Sequence, residues 1–260
     1  MPVFASAIAF LYGSVYGSFL NVAVHRLPRE ESLVRPRSRC PRCHKSIAWF
    51  DNIPVVSWLV LGGRCRHCRK PISARYPAVE AAMGLLAVAL QRRWPGEFVW
   101  VVGAALACGA LLAVALIDFE TFLIPDELSI GLAISGLLFS PWNPYFSGDA
   151  WWWSVLYCLR GALSGFLMAY AIAVVGETLM KKEALGGGDV KLLAGVGAWA
   201  GATGAFDCLM LGSFAGSIYG IRLMLTGKAK RSDPIPFGPF LSAGAVFNFF
   251  VLLPLGWPLL

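Results

Sequence analysis

Three long stretches of this chain carry no charged residue: Val3 to Val24, Phe98 to Ile117 and Phe237 to Leu260. A helix needs roughly 20 apolar residues to cross the hydrocarbon of a bilayer, so each stretch is long enough to span. Charged residues make up 14% of the chain against 57% hydrophobic ones, where a soluble domain carries about 25% charge. A water-soluble core cannot absorb that surplus. The hydropathy pattern predicts an all-α polytopic membrane protein of about eight spans, near 3–24, 76–93, 98–117, 127–142, 152–175, 190–206, 208–225 and 238–258. The first stretch lacks a basic leader and outruns the usual apolar region of a secretory signal, so it reads as a retained helix.

The net charge is +7, and 12 of the 22 Lys and Arg residues lie between Arg26 and Arg75. In a membrane protein this asymmetry reads as cytoplasmic placement rather than nucleic-acid binding. With that loop inside, alternation puts 118–126, 176–189 and 226–237 inside as well. Both termini then face outward, and only Arg92, Arg93 and Arg160 fall on the wrong side of the rule. The cluster Trp151-Trp152-Trp153 lands at the outer interface, where aromatic belts form. Asp207 is expected at the outer turn between the sixth and seventh spans. The chain divides into a first transmembrane helix (1–24), a cytoplasmic loop module (25–75) and a seven-helix membrane core (76–260).

Within the loop, Cys40-Pro41-Arg42-Cys43 and Cys65-Arg66-His67-Cys68 form two CxxC pairs. Each pair aims two sulfurs at one point, and two such turns make a tetrahedral thiolate site suited to zinc. Cys40, Cys43, Cys65 and Cys68 fill all four positions, so the site is closed and structural. Disulfides are the competing reading, and they are rare in the cytoplasm. Cys108, Cys158 and Cys208 fall in or beside spans and read as small buried residues.

Ionisable groups at membrane depth are costly and are functional candidates by default. Here they are Glu80, Asp118, Glu120, Asp126, Glu127 and Asp189, all on the cytoplasmic side by alternation. Asp118 ends one span and Asp189 begins another at the same depth. Two carboxylates sharing a site do not both ionise easily, which makes a base and an acid together, able to drive water onto a peptide carbonyl. Gly186, Gly187 and Gly188 precede Asp189 and leave room for a substrate backbone. Helix capping is the plainer role for Asp126 and Asp189. A proton-coupled transporter also places carboxylates in Gly-interrupted helices, and a membrane assembly factor using only the cysteine loop is a third reading.

Taken together, the motifs resemble the type IV prepilin peptidase family over nearly the whole chain. The resemblance is carried by Gly17-Ser18-Phe19-Leu20-Asn21-Val22, the two CxxC pairs, Trp49-Phe50-Asp51-Asn52-Ile53-Pro54, Pro71-Ile72-Ser73-Ala74-Arg75-Tyr76-Pro77 and Glu80. It continues through Ile117-Asp118, Pro125-Asp126, the GxGD motif Gly186-Gly187-Gly188-Asp189, and Ile235-Pro236-Phe237-Gly238-Pro239-Phe240. It implies an aspartic peptidase of the bacterial inner membrane, with Asp118 and Asp189 catalytic and Gly186 and Gly188 positioning substrate. The substrates it implies are prepilins or pseudopilins of pilus or type II secretion systems, inserted in the lipid bilayer, with no nucleic acid involved. It also implies N-methylation of the new amino terminus from S-adenosylmethionine, for which Glu80 is the candidate cofactor contact.

Overall fold

In the computed structural model, residues 2–146, 150–181, 185–230 and 233–251 are described. They form helices joined by turns, with two isolated β-bridges and no strand among the described residues. Four helical stretches are long and apolar enough to cross a membrane: Val3–Arg29, Phe98–Thr121, Trp151–Leu179 and Gly187–Leu225. The chain forms two compact units, Met1–Val101 and Val102–Leu260.

The first unit pairs α1 (Pro2–Arg26) with α3 (Arg75–Arg93). They run antiparallel: Ser6 faces Gln91, Gly13 faces Gly84, and Gly17 faces Glu80. A Cβ on Gly17 would stand 2.8 Å from the Glu80 Cα, and one on Gly84 2.6 Å from the Ser14 Oγ. Small residues are what let membrane helices approach this closely. Asn21 locks the end of the pair, donating its side-chain amide to the Tyr76 carbonyl (3.2 Å). The cysteine-bearing segment, with the short helix α2 (Val56–Val60), connects the two.

The second unit contains α4 from Val102 onward (the whole helix is Phe98–Thr121), α5 (Asp126–Phe139), α6 (Trp151–Met180), α7 (Gly187–Leu225) and α8 (Gly238–Asn248). α7 is not one rod. Gly201 has φ 70° and ψ −175°, a region open essentially to glycine alone. The helix turns back there. A Cβ placed on Gly165 of α6 would stand 3.3 Å from the Ala205 Cβ while also meeting the Leu193 carbonyl, so residues twelve apart in sequence lie side by side. The arms are 187–200 and 202–225. The first runs antiparallel to α6 and parallel to α5, through Gly161–Gly197, Gly188–Ile124 and Gly136–Ala198 contacts. The second runs antiparallel to α8, from Gly204–Asn248 to Gly220–Ile235.

The stretch expected to hold two spans, 190–206 and 208–225, is therefore two helical arms, and the reversal is at Gly201. Asp207, expected at the turn, lies inside the second arm with no exposed surface. A charge between two apolar stretches is a weaker reversal signal than a backbone angle that only glycine adopts. The last expected span is helical from Gly238 to Asn248, and 252–260 lie outside the described residues.

Candidate active site and metal centre

The two aspartates sit at helix ends in the second unit. Asp118 occupies the last turn of α4. Phe122 accepts the left-handed conformation (φ 56°), donates its amide to the Asp118 carbonyl (2.9 Å) and ends the helix. A residue in that conformation is a common helix stop, though usually glycine. The Asp118 side chain is 5% exposed, and its Oδ2 accepts the backbone N–H of Gly238 at 2.8 Å. Gly238 is the first residue of α8 and is followed by Pro239. The carboxylate thus meets the positive end of that helix, and a Cβ on Gly238 would stand 2.9 Å from Oδ2.

Asp189 occupies the first turn of α7. Its Oδ2 accepts the N–H of Gly186 at 3.3 Å, which is the backward half of a capping box. Glycine offers no side chain for the forward half. The other oxygen, Oδ1, is buried without a hydrogen-bond partner among the described residues. The Gly188–Ile124 contact and the Lys191–Asp126 ion pair bring the start of α7 beside the segment that follows Asp118. Of the three glycines, Gly188 packs where a Cβ would lie 2.9 Å from the Ile124 Cβ. Around Gly187 the space is open, and beside Gly186 only Asp189 is near.

The remaining acids separate from these two. Glu120, Asp126 and Glu127 are exposed. Asp126 holds Lys191 through both oxygens at 2.8 Å, tying the start of α5 to the first arm of α7. The acids thus resolve into buried Asp118 and half-buried Asp189 at helix ends, and a surface tie between Asp126 and Lys191. Gly238 is the functional group that residue-type reasoning missed, because a backbone amide has no side-chain signature; the Pro239 start signal marked only its helix.

In the first unit, the sulfurs of Cys40, Cys43, Cys65 and Cys68 lie within 4.8 Å of one another. Cys40 Sγ and Cys68 Sγ are 3.9 Å apart, near the ~3.8 Å edge of a tetrahedron with 2.3 Å metal–sulfur bonds. The two knuckles repeat each other's geometry. Cys40 N–H donates to Lys45 O (3.0 Å) and Cys65 N–H to Lys70 O (2.9 Å). His44 and Arg69 turn through φ 56° and 57°, and their amides return to Cys40 and Cys65 at 2.9 Å. Amides of Cys68 and His67 hold the Cys65 thiol down at about 7. The Lys70 amide pulls on Cys68 as well, but burial and the neighbouring sulfurs outweigh it and push that thiol up to about 11. Four convergent sulfurs with amide donors fit a thiophilic metal.

Two supports brace this cluster. Arg66, between the second pair of cysteines, grips Asp51 through Nε and an Nη at 2.7 and 2.6 Å and lies over the Phe50 ring. The Trp58 indole donates to Ile72 O (3.1 Å) and covers Gly63. Glu80, 8% exposed, accepts the Val55 N–H at 2.7 Å. Val55 has φ 62° and ψ −51° inside a γ-turn closed by Val56 N–H on Pro54 O (2.6 Å), a strained conformation for a β-branched residue.

Comparison with known proteins agrees with this division. Residues 11–94 match the bacterial peptidase A24 N-terminal domain, and residues 105–221 match the type IV leader peptidase family. A prepilin leader peptidase/N-methyltransferase of Burkholderia pseudomallei is 37% identical over 95% of this chain and 86% of its own length. The protein of the same description from Aeromonas hydrophila is 39% identical over 93% of this chain and 89% of its own. That from Pseudomonas aeruginosa is 37% identical over 89% and 85%. No solved structure matches the chain. The transporter reading gains no support from these relatives.

Proposed function

Because the chain belongs to the type IV leader peptidase family, we propose that it cleaves the leader from membrane-inserted prepilins or pseudopilins and then N-methylates the new amino terminus. The observation that carries the peptidase reading is the pairing of Asp118 and Asp189. They are far apart in sequence, yet both lie at the same end of the second unit, where Gly188 packs on Ile124 and Lys191 pairs with Asp126 a few residues beyond Asp118. In this reading one carboxylate takes a proton from water as the water oxygen bonds to the scissile carbonyl carbon. The other, protonated, supports the carbonyl oxygen and passes its proton to the amine as the C–N bond breaks. The pair titrates as a unit. Gly186 and Gly187 leave the approach to Asp189 free of side chains, while Gly188 lets the loop close onto Ile124.

In this reading the basic loop faces the cytoplasm by the positive-inside rule, and alternation of the spans puts the aspartates on the cytoplasmic side of the inner membrane and both termini outside. Cys40, Cys43, Cys65 and Cys68 would hold a structural zinc, whose role is to fix the loop. For the methyl donor, S-adenosylmethionine, Glu80 is the candidate contact. Its bond to Val55 fixes the carboxylate in the Pro54–Ser57 turn.

The test is cleavage of a purified prepilin by the wild type, Asp118→Asn and Asp189→Asn, with labelled S-adenosylmethionine present. Each variant is expected to fold and to lose cleavage. Retained activity in either removes that residue from the pair, and cleaved but unlabelled product reduces the function to proteolysis.

A further inference from the structure

Arg160 is a charge that the peptidase chemistry leaves unused. It lies in α6, ~13 Å of helix rise beyond Trp151, within a stretch long and apolar enough to span. It is exposed, and it makes no ion pair or hydrogen bond within the described residues. An arginine at membrane depth is expensive and is ordinarily matched by an anion or by water.

Beside it lies a cavity of ≈ 170 Å³ at the turn of α7, lined by Arg160, Tyr145, Tyr157, Gly201 and Thr203. That is more than ten times the ~10–15 Å³ that admits one water. The break creates the space: a Cβ on Gly201 would meet only Phe146 Cε1, at 3.5 Å. Among the described residues, none that lines the cavity is acidic. The lining offers a guanidinium and the hydroxyl groups of Tyr145, Tyr157 and Thr203. Helix rise from Asp189 to Gly201 is ~18 Å, which puts the cavity in the half of a ~30 Å hydrocarbon core away from the aspartates. An arginine there reaches the interface by extending its side chain.

We infer that this cavity is a binding site for a phosphate-bearing anion, with Arg160 as its cation and the Gly201 turn as its floor. The same chemistry is offered by the headgroup of an anionic phospholipid from that leaflet and by free phosphate. A planar guanidinium pairs with either phosphate through two parallel N–H bonds; the position within an apolar span favours the lipid, whose headgroup already lies at that leaflet.

The test uses the full chain, purified and delipidated, then supplied with phosphatidylglycerol or phosphatidylcholine and examined by native mass spectrometry. Phosphatidylglycerol retention is expected to exceed phosphatidylcholine retention and to fall about tenfold in Arg160→Gln, the loss of one charge-assisted contact. Thr203→Leu, which fills the cavity and keeps the arginine, is expected to fall likewise, so the idea remains testable if the first variant is unstable. Displacement by inorganic phosphate assigns the site to the free anion, and retention against it assigns the site to the lipid. Equal binding of both lipids by wild type, or unchanged phosphatidylglycerol binding in a folded variant, overturns the inference. Prepilin cleavage in detergent by Arg160→Gln should match wild type, because the aspartates lie at the opposite end of the unit.

Discussion

Replacing Gly238 by alanine adds one methyl group against the Asp118 carboxylate. The new Cβ would stand 2.9 Å from Oδ2, 3.2 Å from Cγ and 3.3 Å from the Asp118 Cβ. Comfortable carbon contacts begin near 3.5 Å, so the carboxylate retreats by roughly 0.5 Å. The 2.8 Å bond from the Gly238 N–H then lengthens toward the weak limit. A hydrogen bond to a charged group contributes about 1.5–3 kcal/mol. Losing about half to all of it at a reacting group lowers the rate ~4–150-fold, since each ~1.4 kcal/mol is tenfold. The effect should fall on kcat, because the carboxylate acts on the water and the scissile bond rather than on the leader. Alanine suits a helix start, and Gly238 is not in a left-handed conformation, so the fold should survive. Gly216→Ala on the facing arm of α7 is the control: its nearest neighbour would be at 3.4 Å, and less than about twofold change is expected. Single-turnover cleavage of prepilin in proteoliposomes reads both. A Gly238→Ala rate within about twofold of wild type would refute the claim that this amide positions Asp118.

Metal analysis of freshly reduced protein should find about one zinc per chain with Zn–S distances near 2.3 Å; Cys65→Ser should lose it and expose residues 27–74 to trypsin, and metal-free wild type with an intact loop would sink the assignment. Arg66 holds the Asp51 carboxyl below its ordinary 3.8, so the pair supports the loop fully above the unfolded value of about 3.9 and loses that support as pH falls through the lower folded value. The melting-temperature gap between wild type and Asp51→Asn should therefore be constant from pH 7 to about 5 and close below about 4; a gap that widens in acid would contradict the ion pair.

The parts of the site legible in the sequence are those whose chemistry demands a side chain. Four thiols in two spaced pairs and two carboxylates at span ends announce themselves, because few other residues do those jobs. Exposure separates Asp118, buried, and Asp189, half-buried with its Oδ1 enclosed, from the exposed Glu120, Asp126 and Glu127, a distinction that needs side-chain positions. The rest is backbone. The Gly238 amide, the Val55 amide on Glu80 and the Gly201 reversal leave no residue-type signal. Gly201 stands among Gly195, Gly197 and Gly204, which are helical, and composition does not tell a packing glycine from a turning one. Asp207 follows a related rule: a polar residue within an apolar stretch suggests a surface turn, whereas this one is buried in the bundle.

The glycine faces of α1 and α3 bear on how the protein is made. α1 is synthesised before α3, and until α3 arrives the face carrying Gly13 and Gly17 would have no helix to pack against. The whole stretch from Leu27 to Ala74 is synthesised in between. Closing a loop costs entropy that grows with its length, and joining Cys40 and Cys43 to Cys65 and Cys68 shortens the free chain before the helices meet. Metal capture would then act as an assembly step, delivering α3 to a waiting helix, and cells starved of zinc would accumulate α1 inserted but unpaired.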